Sequence, residues 1–66
     1  MDLRDISKWP DEDVLEALEE IDRGLSARNI EWIERFRDSF DEREELSTRQ
    51  REVAEDILIQ WSERHG

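Results

Sequence analysis

The sequence predicts an all-α fold, a compact three-helix bundle with a short N-terminal arm, with helices over residues 10–23, 27–40 and 48–64. Three observations carry that prediction. The chain nearly repeats itself 21 residues apart: Leu25-Ser26-Ala27-Arg28-Asn29 opens one segment and Leu46-Ser47-Thr48-Arg49-Gln50 opens the next. The match continues through Glu31/Glu52, Trp32/Val53, Glu34/Glu55, Phe36/Ile57 and Phe40/Trp61. Apolar residues recur at helical spacing in three segments, and no segment alternates with period two over a useful length. With 66 residues the chain makes a single domain, residues 1–66.

The first nine residues place Leu3, Ile6 and Trp9 at spacing three, as expected of an arm packing on the core. Pro10 suits the first position of a helix, where its missing N–H costs nothing. Asp11, Glu12 and Asp13 then fall in the first turn, where the helix dipole favours anions. Val14, Ala17, Leu18 and Ile21 form one apolar face. Gly24 reads as the left-handed stop after this helix, with Leu25 folding back as its apolar partner.

Ser26 caps the second helix, and Leu25 with Ile30 makes a hydrophobic staple. Trp32, Ile33, Phe36 and Phe40 share one face within an arc of about 100°, with Ile30 on its shoulder. The charged connector Asp41-Glu42-Arg43-Glu44-Glu45 contains no Gly or Pro, so this helix has no sharp stop signal. Ser47 caps the third helix, and Gln50 completes a capping box; Asn29 is the weaker equivalent of Gln50. Val53, Ala54, Ile57, Leu58 and Trp61 line its inner face. The second and third helices are expected to form an antiparallel hairpin whose groove the first helix crosses.

Composition narrows the function. Cysteine is absent and the one histidine is His65, so disulfides, thiolate chemistry and a metal site are not expected, nor any cofactor. No glycine-rich phosphate loop or calcium loop is present, and a bundle this small has little room for a pocket that would shift carboxylate pKa values. The chain is therefore not expected to be an enzyme. No stretch resembles a signal peptide or a membrane span, and the sole methionine reads as an initiator. A cytoplasmic location is expected, that of the host cell if the chain is viral.

The net charge is −10, and residues 1–22 hold nine acidic against two basic side chains. Such a chain repels nucleic acid and anionic lipid at long range, so its partner is expected to be a protein with a basic surface. The candidate contact row is Glu12, Asp13, Glu16, Glu19 and Glu20, within a sector of about 120° opposite Val14, Leu18 and Ile21. Glu12–Glu16 and Glu16–Glu20 are like-charge neighbours one turn apart, which costs a few tenths of a kcal/mol each. A row of carboxylates at that spacing could mimic DNA phosphates. The plain alternative is a solvated face on an acidic, lysine-poor protein whose charge reflects its host's habitat.

A second candidate is nucleic-acid contact through Arg28, Arg49 and Arg51, with Arg28 and Arg49 equivalently placed beside the two caps. A third reading is a homo-oligomer joined through exposed apolar residues. Ile59, which points away from its helix's apolar face, is its natural candidate, unless the arm covers it or it is simply a lone exposed residue.

The tandem Leu-Ser-x-Arg-Asn-x-Glu-Trp-Ile and Leu-Ser-x-Arg-Gln-x-Glu-Val-Ala resembles small helical accessory proteins of tailed phages, in which Leu-Ser/Thr-x-x-Gln opens a helix after a loop. The resemblance covers residues 25–61 and leaves the acidic first helix outside it. It implies a phage or mobile-element origin and an accessory role at DNA-processing machinery, with no site residue to carry over.

Overall fold

Three α-helices follow one another in the computed structural model, which describes residues 3–65: α1 (Asp11–Ile21), α2 (Ala27–Arg43) and α3 (Thr48–His65). A 3-10 turn at Ile6–Lys8 precedes α1, and another at Asp22–Gly24 follows it. Among the described residues there is no strand. At about 1.5 Å per residue, α2 and α3 are each more than 25 Å long. The short link after Arg43 joins one pair of their ends, and at the other Leu25 and Asn29 meet Gln60, Trp61 and Arg64, so the two helices run antiparallel.

Helix α1 packs on both of them and supplies the largest share of the core, burying Val14, Leu15, Ala17, Leu18 and Ile21. Helix α2 buries Ile33 and Phe36, α3 buries Ala54, Ile57 and Leu58, and Ile6 and Leu46 close the end beside the α2–α3 link. Leu3, Trp9, Leu25, Trp32, Phe40, Val53 and Trp61 pack around this centre half-buried. The arm therefore covers the core as its spacing predicts. It does not cover Ile59, which stays 39% exposed.

Both serine caps form. Ser26 Oγ accepts from the Asn29 amide at 3.4 Å. At α3 the box closes in both directions: Ser47 Oγ accepts from the Gln50 amide at 3.2 Å, and Gln50 Oε1 accepts from the Ser47 amide at 3.0 Å. The weaker cap belongs to the Asn29 copy, where only the serine half of the exchange is made. The staple beside it is also partial: Leu25 packs on the core while Ile30 stays 36% exposed.

The helix ends depart from the sequence expectation at three places. Pro10 is the N-cap of α1, extended at φ −61°, ψ 153°, and not its first helical residue. After Ile21 the chain tightens into the Asp22–Gly24 turn, whose Leu25 amide donates to the Asp22 carbonyl at 3.1 Å. That turn satisfies backbone groups without a left-handed residue, so Gly24 does not adopt positive φ. A Cβ at Gly24 would meet Trp61 Nε1 at 3.5 Å, an ordinary contact. The left-handed residue is instead Glu44, at φ 60°, ψ 21°, whose amide donates to the Phe40 carbonyl at 2.7 Å. Helix α2 thus runs past residue 40 to Arg43, because nothing in Asp41-Glu42-Arg43 stops it.

A side chain in the left-handed region costs roughly 1 kcal/mol relative to glycine. Glu44→Gly is therefore expected to stabilise the fold by about 0.5–1 kcal/mol, part of the gain being offset by glycine's unfolded-state freedom. An upward shift in the urea midpoint would show it. A midpoint that falls would mean that α2 does not end in this conformation.

Candidate functional site

Burial of five apolar side chains leaves α1 only one way to orient, and its remaining positions are acidic. Glu12, Asp13, Glu16, Glu19 and Glu20 are all exposed. Glu19 is the one engaged: its Oε1 accepts from Arg37 Nε at 2.9 Å and lies 2.8 Å from Nη2, in a pair about half open to solvent. Exposed pairs of this kind contribute at most about 1 kcal/mol. Among the described residues, Glu12, Asp13, Glu16 and Glu20 make no ion pair or side-chain hydrogen bond.

An open groove of about 290 Å³ runs along this flank, lined by Trp9, Asp13, Glu16, Ala17 and Glu20. The arm thus sets a half-buried indole beside three free carboxylates, and Ala17 keeps the floor shallow. The chemistry that fits is a lysine or arginine side chain, its stem on the indole and its charge among the carboxylates. The row itself was legible from spacing. Trp9's place beside it was not, since it depends on how the arm folds back.

Asp11, one turn before this groove, has a different job. Its Oδ2 accepts from the Leu46 amide at 2.7 Å and its Oδ1 from Arg51 Nη1 at 2.6 Å. Arg51 also donates from Nη2 to the Ile6 carbonyl at 2.6 Å and from Nε to Glu55 Oε2 at 3.1 Å. One guanidinium therefore joins the arm, the start of α1, the α2–α3 link and α3, with its side chain only 15% exposed.

This corrects the basic candidate set. Arg51 is used up inside the fold and offers nothing to a phosphate. Arg28 and Arg49 are exposed but stand at opposite ends of the hairpin, because antiparallel helices put their starts far apart. The start of α2 instead meets the end of α3, where Gly24, Leu25 and Asn29 share a groove with Gln60, Trp61 and Arg64. Arg28, Arg49 and Arg51 thus form no common patch. The signal for Arg51 was present in its spacing: it lies three and seven residues before the buried Ala54 and Leu58, on their side of α3.

No protein-family model matches the chain, and comparison with curated proteins and with solved structures finds no significant similarity. Among the described residues, no group of three histidine, cysteine or acidic side chains is placed to hold a metal ion, and no helix is long and apolar enough to cross a membrane.

Proposed function

We propose that this chain is a non-enzymatic protein-binding module that engages a basic surface of its partner through the acidic flank of α1. The observation that carries the reading is the set of unpaired carboxylates Glu12, Asp13, Glu16 and Glu20, aligned along a groove that Trp9 borders. An indole beside free carboxylates suits arginine and lysine in a way that scattered surface acids do not. Charge complementarity of this kind sets specificity and association rate more than raw affinity.

Carboxylates four residues apart on a helix repeat about every 6 Å along its axis, a spacing comparable to that of phosphates along one strand. A protein that handles nucleic acid is therefore the target class we favour, with the row acting as a DNA mimic. A phage or mobile-element accessory or inhibitor protein, working in the host cytoplasm, is the setting in which such a module makes sense.

A chain of this net charge binds polycations to some degree whatever its surface, so the test must hold net charge constant. The probe is an arginine-rich peptide, titrated while Trp fluorescence is followed. Glu16→Lys/Glu20→Lys and Glu42→Lys/Glu45→Lys change the total charge equally, at exposed positions on α1 and, for the second pair, in the last turn of α2 and the α2–α3 link after it. The α1 pair is expected to weaken peptide binding about tenfold or more, as the loss of about 1.4 kcal/mol implies, while the link pair stays close to native. Equal losses from both pairs would reduce the acidity to a bulk property and end the proposal.

A further inference from the structure

Helix α2 carries a second surface. Arg28 and Arg35 are exposed, stand seven residues apart and flank the half-buried Trp32 with Glu31 in a shallow groove. The Arg35 guanidinium carbon lies 5.6 Å from the Trp32 ring centroid. Acidic residues outnumber basic ones two to one in this chain, 20 against 10. Even so, among the described residues neither Arg28 nor Arg35 has a carboxylate partner.

The α1 flank has the matching form. Asp13 and Glu20 are also seven residues apart, with Ala17 between them where α2 has Trp32. Each charge pair spans about 10.5 Å at 1.5 Å per residue. The two surfaces cannot meet within one molecule. Helix α1 approaches α2 through Glu19 and Arg37. At about 100° per residue, Asp13 and Glu20 lie on the flank of α1 away from Glu19, and Arg28 and Arg35 on the flank of α2 away from Arg37.

We infer that the Arg28–Trp32–Arg35 stripe of one molecule docks on the Asp13–Ala17–Glu20 flank of a second copy. Trp32 settles over the small Ala17 beside Trp9, and the two arginines reach the two carboxylates. The contact is heterologous, so it builds open chains or a ring and not an isologous dimer. It is small and opposed by the net charge, hence weak. At about 0.15 M salt the Debye length is about 8 Å, which screens the distant like charges and leaves the close pairs. Nucleic acid is the poorer occupant for this stripe, since it meets the same repulsion without a matched row to offset it.

The inference uses two carboxylates of the proposed partner surface but does not depend on any basic partner, and its test needs only this chain. Sedimentation equilibrium at about 0.15 M salt is run on the native protein, on Arg28→Glu/Arg35→Glu, on Asp13→Lys/Glu20→Lys and on the equimolar mixture of the two variants. All four positions are exposed, and circular dichroism checks that helicity is kept. If the glutamate pair loses helicity, Arg28→Gln/Arg35→Gln replaces it in the comparison with the native chain.

The native mass is expected to rise above 8.0 kDa with concentration. Each variant alone should stay monomeric, and the mixture should associate again, since each surface then faces its opposite. A native chain that stays monomeric at every concentration, variants that associate like the native chain, or a mixture that stays monomeric overturns the inference. Peptide binding in the earlier titration is unaffected by that outcome, so the two proposals fail separately.

Discussion

Phe36→Ala is expected to remove roughly half of the fold's stability and to lower the melting temperature by about 10 °C or more. Phe36 has no exposed surface and is the largest fully buried side chain. Truncating a buried phenylalanine costs about 3–5 kcal/mol, the lost transfer energy plus the cavity left behind. A domain of this length has roughly 3–10 kcal/mol in total at 0.05–0.15 kcal/mol per residue. The loss falls where no neighbour can compensate. Phe36 and Ile33 are the two buried residues of α2, and Trp32 rests on the Phe36 ring at 5.8 Å between centroids. Without Phe36, α2 is held mainly by half-buried contacts. Phe36→Leu keeps most of the volume and should cost about 1–1.5 kcal/mol. Thermal unfolding followed by far-UV circular dichroism separates the cases. A cooperative melt for Phe36→Ala within a few degrees of native would show that α2 is not seated as described.

Asp11→Ala and Arg51→Ala are expected to cost about 2–3 kcal/mol each, far more than any other charged position on the molecule. The reason is what each leaves behind. Removing Asp11 strips the Leu46 amide of its acceptor and Arg51 of its closest carboxylate in a part-buried setting. A buried donor left unpaired costs about 1–3 kcal/mol, and the loss of a part-buried ion pair adds to it, although Arg51 keeps Glu55 when Asp11 is removed. Removing Arg51 takes one of two donors from the Ile6 carbonyl, which keeps the Trp9 amide, and so loosens the tie between the arm and α3. Asp11→Asn keeps an acceptor for Leu46 and should lose less. Because the two residues share one network, the double variant should cost clearly less than the sum of the singles, by about 1–3 kcal/mol. Amide exchange gives a local check: Leu46 should lose protection in Asp11→Ala well before the interior of α2 does. Additive costs, or a Leu46 amide that exchanges as in the native chain, would remove this cluster from the account.

Helix identity was legible in the sequence because caps and apolar spacing act locally. Ser47 with Gln50 closes the box that its spacing announced, and Ser26 with Asn29 closes only half, as an asparagine one atom group shorter should. Helix ends were harder, because they depend on tertiary fit. Gly24 carries the residue type of a left-handed stop, yet the chain leaves α1 through a 3-10 turn that needs no such residue. Glu44 carries the opposite signal and is left-handed because Leu46 must reach the core and the Asp11 carboxylate.

The candidate sites divide the same way. The acidic flank follows from which side of α1 is apolar, so all five carboxylates are where the spacing puts them. Arg28, Arg49 and Arg51 resembled one another in the repeat. Equivalence in a repeat is not proximity, however, when the two copies run antiparallel. Arg51 differs from Arg49 only by two positions, which is enough to rotate it from solvent to the α1 side of α3. Trp9 beside the row, and Arg28 and Arg35 without carboxylate partners, required the packed structure, since neither fact is a property of one helix.

The most direct test of the proposed binding surface is a residue-resolved map of where a basic ligand sits. Amide and indole chemical shifts of the native chain are followed by NMR as the arginine-rich peptide is added. The account predicts that the largest changes gather at Asp13, Glu16, Ala17, Glu20 and the Trp9 indole, with Glu42, Glu45, Glu52 and Glu63 nearly still. Changes spread evenly over all the exposed acidic residues would contradict it.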